Sequence, residues 1–161
     1  AFQNQHEEGK ATTDIGVYLR NDRQFFCWIE AKRLPTPKEK DRDEREYVIV
    51  NQDKVNGRKK FKGNGGIQRF KENKHASELS YSIMIGYIQA NDSNYWLNKV
   101  NEWITELINT NTEFWKEEDY LRKYNSDRCD RYISKHLRKS NKSITLHHYW
   151  ITTTGINKKA K

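Results

Sequence analysis

The chain has 161 residues, with 30 Lys and Arg against 22 Asp and Glu, a net charge of +8 and a pI near 9.4. That length suits a single domain with a real core, and no apolar run is long enough to cross a membrane. Hydrophobic residues reach only 34%, but five Trp, nine Tyr and six Phe speak against disorder. Cys27 and Cys129 are too few for a disulfide scaffold and point to a reducing, cytoplasmic compartment. The chain opens at Ala1 with no charged segment followed by an apolar one, so we expect no secretory signal, and expect a trimmed or incomplete start.

The charge is unevenly spread. Residues 31–75 carry +7 and residues 122–161 carry +9, separated by −6 over residues 76–121. Basic blocks of this kind suit a polyanion, because each Lys or Arg on a phosphate releases condensed counterions. A solvated face that touches nothing explains the same charge equally well.

In chain order, Thr13 to Leu19 alternates with β-branched and aromatic residues and reads as a strand, followed by turn residues Asn21 to Arg23. Phe25 to Ile29 is apolar on both faces, which suits a central strand in a hairpin with the first. Glu30, Ala31, Lys32 and Arg33 mark its end, and Pro35 and Pro37 close it. Residues 38–46 read as a charged loop or loose helix, and Glu46 to Val50 as a short strand or buried turn. Asn56 to Gly66, basic and glycine-rich, reads as a mobile surface loop. A helix should start near Ile67 and run to Asn73, and Tyr81 to Ile88 is a strong strand. Trp96, Val100, Trp103, Ile104, Leu107 and Ile108 recur at helical spacing, so an amphipathic core-facing helix spans about Ser93 to Asn109. Residues 113–140 have no clear type, and Ile144 to Thr153 is a last strand. This order gives one domain, an α/β or α+β sandwich with a mixed sheet.

Chemistry concentrates at Asp14, Glu30 and Lys32. In a hairpin the start of one strand lies beside the end of the next, and Glu30 and Lys32 project to one side while Ala31 points away. Two carboxylates in an apolar setting call for a cation. Oxygens of Asp14, Glu30 and the Ala31 carbonyl suit Mg²⁺, with Mn²⁺ as a substitute. Lys32 could then orient or deprotonate a water or neutralise developing charge. A structural Glu30–Lys32 pair, with Asp14 guarding a strand edge, fits the spacing as well.

Thr12-Thr13-Asp14-Ile15-Gly16 followed by Phe25 to Leu34, with Glu30-Ala31-Lys32 inside it, resembles the core of the PD-(D/E)XK nuclease superfamily, in a divergent bacterial branch. Thr13 stands where a proline usually precedes the Asp. The resemblance implies a restriction-endonuclease-like α-β-β-β-α-β core, with the first helix missing, and a central mixed sheet flanked by helices. The core would cover about residues 1–110, followed by a basic extension and last strand over 111–161. It implies a Mg²⁺-dependent nuclease acting on DNA, in bacterial defence or repair, alone, as a homodimer or in a larger assembly.

Gly65 and Gly66 before a helix offer outward backbone N–H groups, and Arg69 lies one turn in, a phosphate-friendly pattern. Gln68 or Arg69 would be the polar residue that several superfamily members carry on this helix. His75 reads as a surface or capping residue that could reach a phosphate. Arg33, Arg58, Lys59, Lys60 and Lys62, with residues 122–142, would grip a nucleic-acid backbone, contacts that carry no sequence information. His147 and His148 point to opposite faces of their strand and cannot share an ion, and Cys129 and His136 lack the further ligands of a zinc site. Cys27 reads as an inert core thiol. The alternatives to a nuclease are a non-catalytic nucleic-acid-binding module and a protein-interaction domain built on the aromatics.

Overall fold

The computed structural model describes residues 2–3, 15–18, 25–37, 43–55, 58–62, 65–110, 113–124 and 129–153. Among these, seven strands form one mixed sheet and two more form a separate hairpin. The strands are β1 (Phe2–Gln3), β2 (Ile15–Tyr18), β3 (Phe25–Leu34), β4 (Val50–Val55), β5 (Arg58–Lys62), β6 (Tyr81–Ile88), β7 (Arg122–Lys123), β8 (Asp130–Leu137) and β9 (Ser143–Thr152). Helix α1 spans Gly66–Lys71, α2 spans Ser93–Thr110, and Glu117–Asp119 form one 3-10 turn.

The large sheet runs β1-β2-β3-β6-β9-β8-β7. β2 and β3 are antiparallel, with Ile15 opposite Ile29. β3, β6 and β9 are parallel neighbours, with Glu30 level with Met84 and Met84 level with His148. β8 returns antiparallel along β9. Parallel neighbours need long crossovers, supplied here by the stretch holding α1 and by the stretch holding α2.

One face of the sheet carries the core. Leu34, Met84, Ile88, Leu146, Trp150 and Tyr132 join Ile67 and Phe70 of α1 and Trp96, Val100, Trp103, Ile104 and Leu107 of α2 in one buried cluster. The α2 stripe is the helical periodicity visible in the sequence, and the Asp92 carboxylate caps the helix by accepting from the Tyr95 N–H at 2.7 Å. Truncating Trp96, 1% exposed, would cost about 3–5 kcal/mol.

Two expectations are corrected, and a stretch of no clear type takes form. The basic stretch after Asn56 is not a loop throughout, because Arg58 to Lys62 pair with β4. Four basic residues around Phe61 hide a strand under a loop-like composition. Glu30 does not end its strand: β3 continues to Leu34, since β6 pairs with it as far as Leu34↔Ile88. The undecided residues 113–140 contain the 3-10 turn, β7 and β8; both residues of β7 are exposed, while β8 buries Tyr132, Ser134 and His136 on alternate positions.

Candidate functional site

Alternation along β3 sends Glu30, Lys32 and Leu34 to the core face and Ala31 and Arg33 to the other. Glu30 and Leu34 are fully buried, and Arg33 is exposed. A buried carboxylate is expensive unless cations meet it. Two do, on the same oxygen: Lys32 Nζ stands 2.8 Å from Glu30 Oε1 and Arg69 Nη1 donates to it at 3.1 Å. Lys32 also stands 3.4 Å from Glu46 Oε1, so it bridges two carboxylates. Glu46 gave no signal in the sequence, lying at the end of a run in which nearly every residue is charged.

His75 completes the cluster and is not a surface residue. It is 3% exposed, with Nε2 3.6 Å from Glu30 Oε2 and 3.3 Å from Arg69 Nη1. Burial first, then the charges of Arg69 and Lys32, push its pKa down to about 3. The ring is therefore neutral at neutral pH and uses Nε2 to accept from Arg69.

The site is held by an unusual joint. The N–H groups of Gly66, Ile67 and Gln68 donate to the carbonyls of Glu46, Tyr47 and Val48 at 2.9, 3.2 and 3.0 Å. The 44–48 turn thereby takes up the first free donors of α1. This corrects the expectation of a phosphate-binding helix start, since those donors are already used. Gly65 and Gly66 are there because backbone touches backbone: a Cβ on Gly65 would lie 2.1 Å from Ile49 Cα. Gln68 is 4% exposed and donates through Nε2 to Glu72 at 3.0 Å.

The structure thus gathers Glu30, Lys32, Arg69 and His75, and adds Glu46. Asp14 lies outside the described residues; Ile15, which follows it in the chain, is opposite Ile29, next to Glu30. Arg58, Lys59, Lys60 and Lys62 lie on β5, and their side chains are outside the description. Cys27 is 2% exposed, and burial raises its thiol pKa, as suits an inert core residue. His147 and His148 do face opposite sides, His148 buried and His147 half-buried.

Among the described residues, no group of three or more His, Cys, Asp and Glu side chains is placed to hold a metal ion. Glu30 and Glu46 nevertheless offer hard oxygens, and Lys32 between them marks a spot that already takes a cation, so the donor chemistry fits Mg²⁺ in kind. None of the described helices is long and apolar enough to cross a membrane. Compared with protein-family profiles, curated proteins and solved structures, the chain matches none.

Proposed function

We propose that the chain is a metal-dependent nuclease of restriction-endonuclease-like architecture that hydrolyses phosphodiester bonds, with DNA as substrate. One observation carries this reading: Glu30 and Lys32 stand side by side on the strand shared by an antiparallel and a parallel neighbour, with Arg69 on the same carboxylate oxygen. Glu30, joined by Asp14, would hold Mg²⁺; the Ala31 carbonyl is the further candidate ligand. The ion would supply Lewis-acid polarisation of the phosphate and a more acidic water.

The chain's own residues then have distinct tasks. Lys32 holds the attacking water or meets the charge that develops on the phosphate. The Arg69 guanidinium presents paired donors to phosphate oxygens, a match of geometry that an ammonium lacks. His75, neutral, fixes the Arg69 fork. Arg33 and the basic β5 strand would bind the backbone without reading bases. A cytoplasmic role in bacterial defence or repair, as a monomer, a homodimer or part of a larger assembly, follows from the resemblance of the motif.

The experiment is cleavage of linear and circular DNA with Mg²⁺, Mn²⁺ or EDTA, for the wild type, Glu30→Gln and Lys32→Ala. Metal-dependent cutting lost at least a hundredfold in both variants supports the reading. Cutting that survives both overturns the site. A second reading, a nucleic-acid-binding module without catalysis, draws on the fact that Glu30 engages both Lys32 and Arg69. It predicts salt-sensitive gel shifts with no cutting under any metal.

A further inference from the structure

The turn–α1 joint carries Glu46 and Arg69 to the site, and each half of it also sends one polar side chain deep into the core. Tyr47 leaves the turn and Lys71 leaves the last turn of α1, and both are almost fully buried. A single chain of hydrogen bonds across the core face of β8 and β9 connects them. Trp150 Nε1 lies 2.9 Å from the Tyr47 hydroxyl, which lies 2.8 Å from His148 Nδ1. His148 Nε2 is 2.7 Å from Ser134 Oγ, and Ser134 Oγ is 2.6 Å from His136 Nε2. His136 Nδ1 is 2.5 Å from Asp119 Oδ1, and Asp119 receives Lys71 Nζ on both oxygens at 2.6 and 2.7 Å.

The proton positions along this chain follow from its two ends. The Trp150 indole can only donate, so the Tyr47 oxygen accepts from it and gives its own proton to His148 Nδ1. A neutral His148 then carries its proton on Nε2 and donates to Ser134. The Ser134 hydroxyl donates onward to His136 Nε2, and His136 donates from Nδ1 to the Asp119 carboxylate, which can only accept. Every donor meets an acceptor in one direction, and reversing any member leaves two protons or two lone pairs facing each other. Cooperative ordering of this kind makes a buried network stiff.

We infer that this ordered chain is a strut that fixes the turn–α1 joint on the sheet at both ends, making Tyr47, Ser134, His136, His148 and Asp119 positioning residues for Glu46 and Arg69 at the Glu30–Lys32 site. Its catalytic consequence rests on the nuclease reading, whereas its geometric content does not. Without Ser134 Oγ, His148 and His136 lose their common partner, and the Tyr47 and Lys71 anchors are no longer coupled. Arg69, two residues from Lys71, then loses its fixed approach to Glu30.

Multiple-bond ¹⁵N–¹H NMR spectra of the whole chain at pH 7 test the ordering. The expected result is neutral His148 protonated on Nε2 and neutral His136 protonated on Nδ1. The opposite tautomers, or a cationic ring, overturn it. Ser134→Ala and Tyr47→Phe test the positioning through the Arg69 guanidinium resonance and through kcat with Mg²⁺. Both variants should shift or broaden that resonance and lower kcat at least tenfold with KM nearly unchanged. Ile104→Val on α2, which weakens the core elsewhere, should leave the resonance in place, and Ser134→Thr should restore it. An Arg69 resonance unmoved in both variants overturns the inference. If the wild type cuts nothing, the nuclease reading fails while the tautomers and the Arg69 resonance still decide the strut.

Discussion

Replacing Asp119 with Asn keeps its shape and removes its charge. Asp119 is 1% exposed and receives Lys71 on both oxygens, His136 on Oδ1 and the Lys116 N–H on Oδ2 at 2.8 Å. Burial pushes its carboxyl pKa up, but the hydrogen bond from His136, with the charge and hydrogen bonds of Lys71, outweighs burial and holds it below the usual range. Lys71, 1% exposed, has its pKa lowered by burial against the pull of Asp119, with the Phe114 and Trp115 rings 5.0 and 4.9 Å from its ammonium. Asp119→Asn leaves that cation in the core with one weakened acceptor, at a cost of about 3–5 kcal/mol. For a chain of this size that lowers the Tm by roughly 6–20 °C, at 2–4 °C per kcal/mol. Removing the cation too, in Lys71→Met with Asp119→Asn, should cost less than the sum of the single changes, with a coupling of at least about 2 kcal/mol. The assay is urea unfolding at pH 7 of the wild type, both single variants and the double variant. Strictly additive costs, or a loss under about 1 kcal/mol for Asp119→Asn alone, refute the idea that a buried charge pair anchors α1.

Two further predictions concern pH and the glycine joint. His75, His136 and His148 are buried with lowered pKa values, chiefly through burial. The unfolded chain binds protons that the folded chain refuses, so stability is full above about pH 6.5 and falls as the pH drops below it, by up to about 1.4 kcal/mol per histidine per pH unit, the His75 share continuing down to about pH 3. Denaturant titrations from pH 8 to pH 4 should show this acid-side loss, and a flat profile contradicts the neutral buried rings. Gly65→Ala drives a Cβ into the Ile49 backbone, 2.1 Å from its Cα and 2.5 Å from its N and C. Because backbone cannot yield as a side chain can, we expect a loss of about 3 kcal/mol or more, beyond ordinary overpacking. A cost below about 1 kcal/mol in thermal unfolding refutes the close joint.

The sequence alone determined the elements with strong local periodicity. The alternation after Asp14, the apolar run from Phe25, Tyr81 to Ile88 and the Trp96–Leu107 stripe each mark a face, and a face is a local property of spacing. The neighbourhood of Glu30 and Lys32 was legible for the same reason, since a period of two places both on one side of β3. Tertiary structure decided which cations meet Glu30. Arg69 and His75 arrive from 39 and 45 residues away in the chain, and Glu46 from a charged run where nothing distinguished it. It also decided that the Gly65–Gly66 step closes a helix start and does not open it to phosphate, because the carbonyls that use its N–H groups belong to a turn some 20 residues earlier. The chain from Tyr47 to Lys71 draws on five separate segments, and its residues look ordinary one by one. Only burial in one place, where water cannot serve as partner, makes each polar group depend on the next.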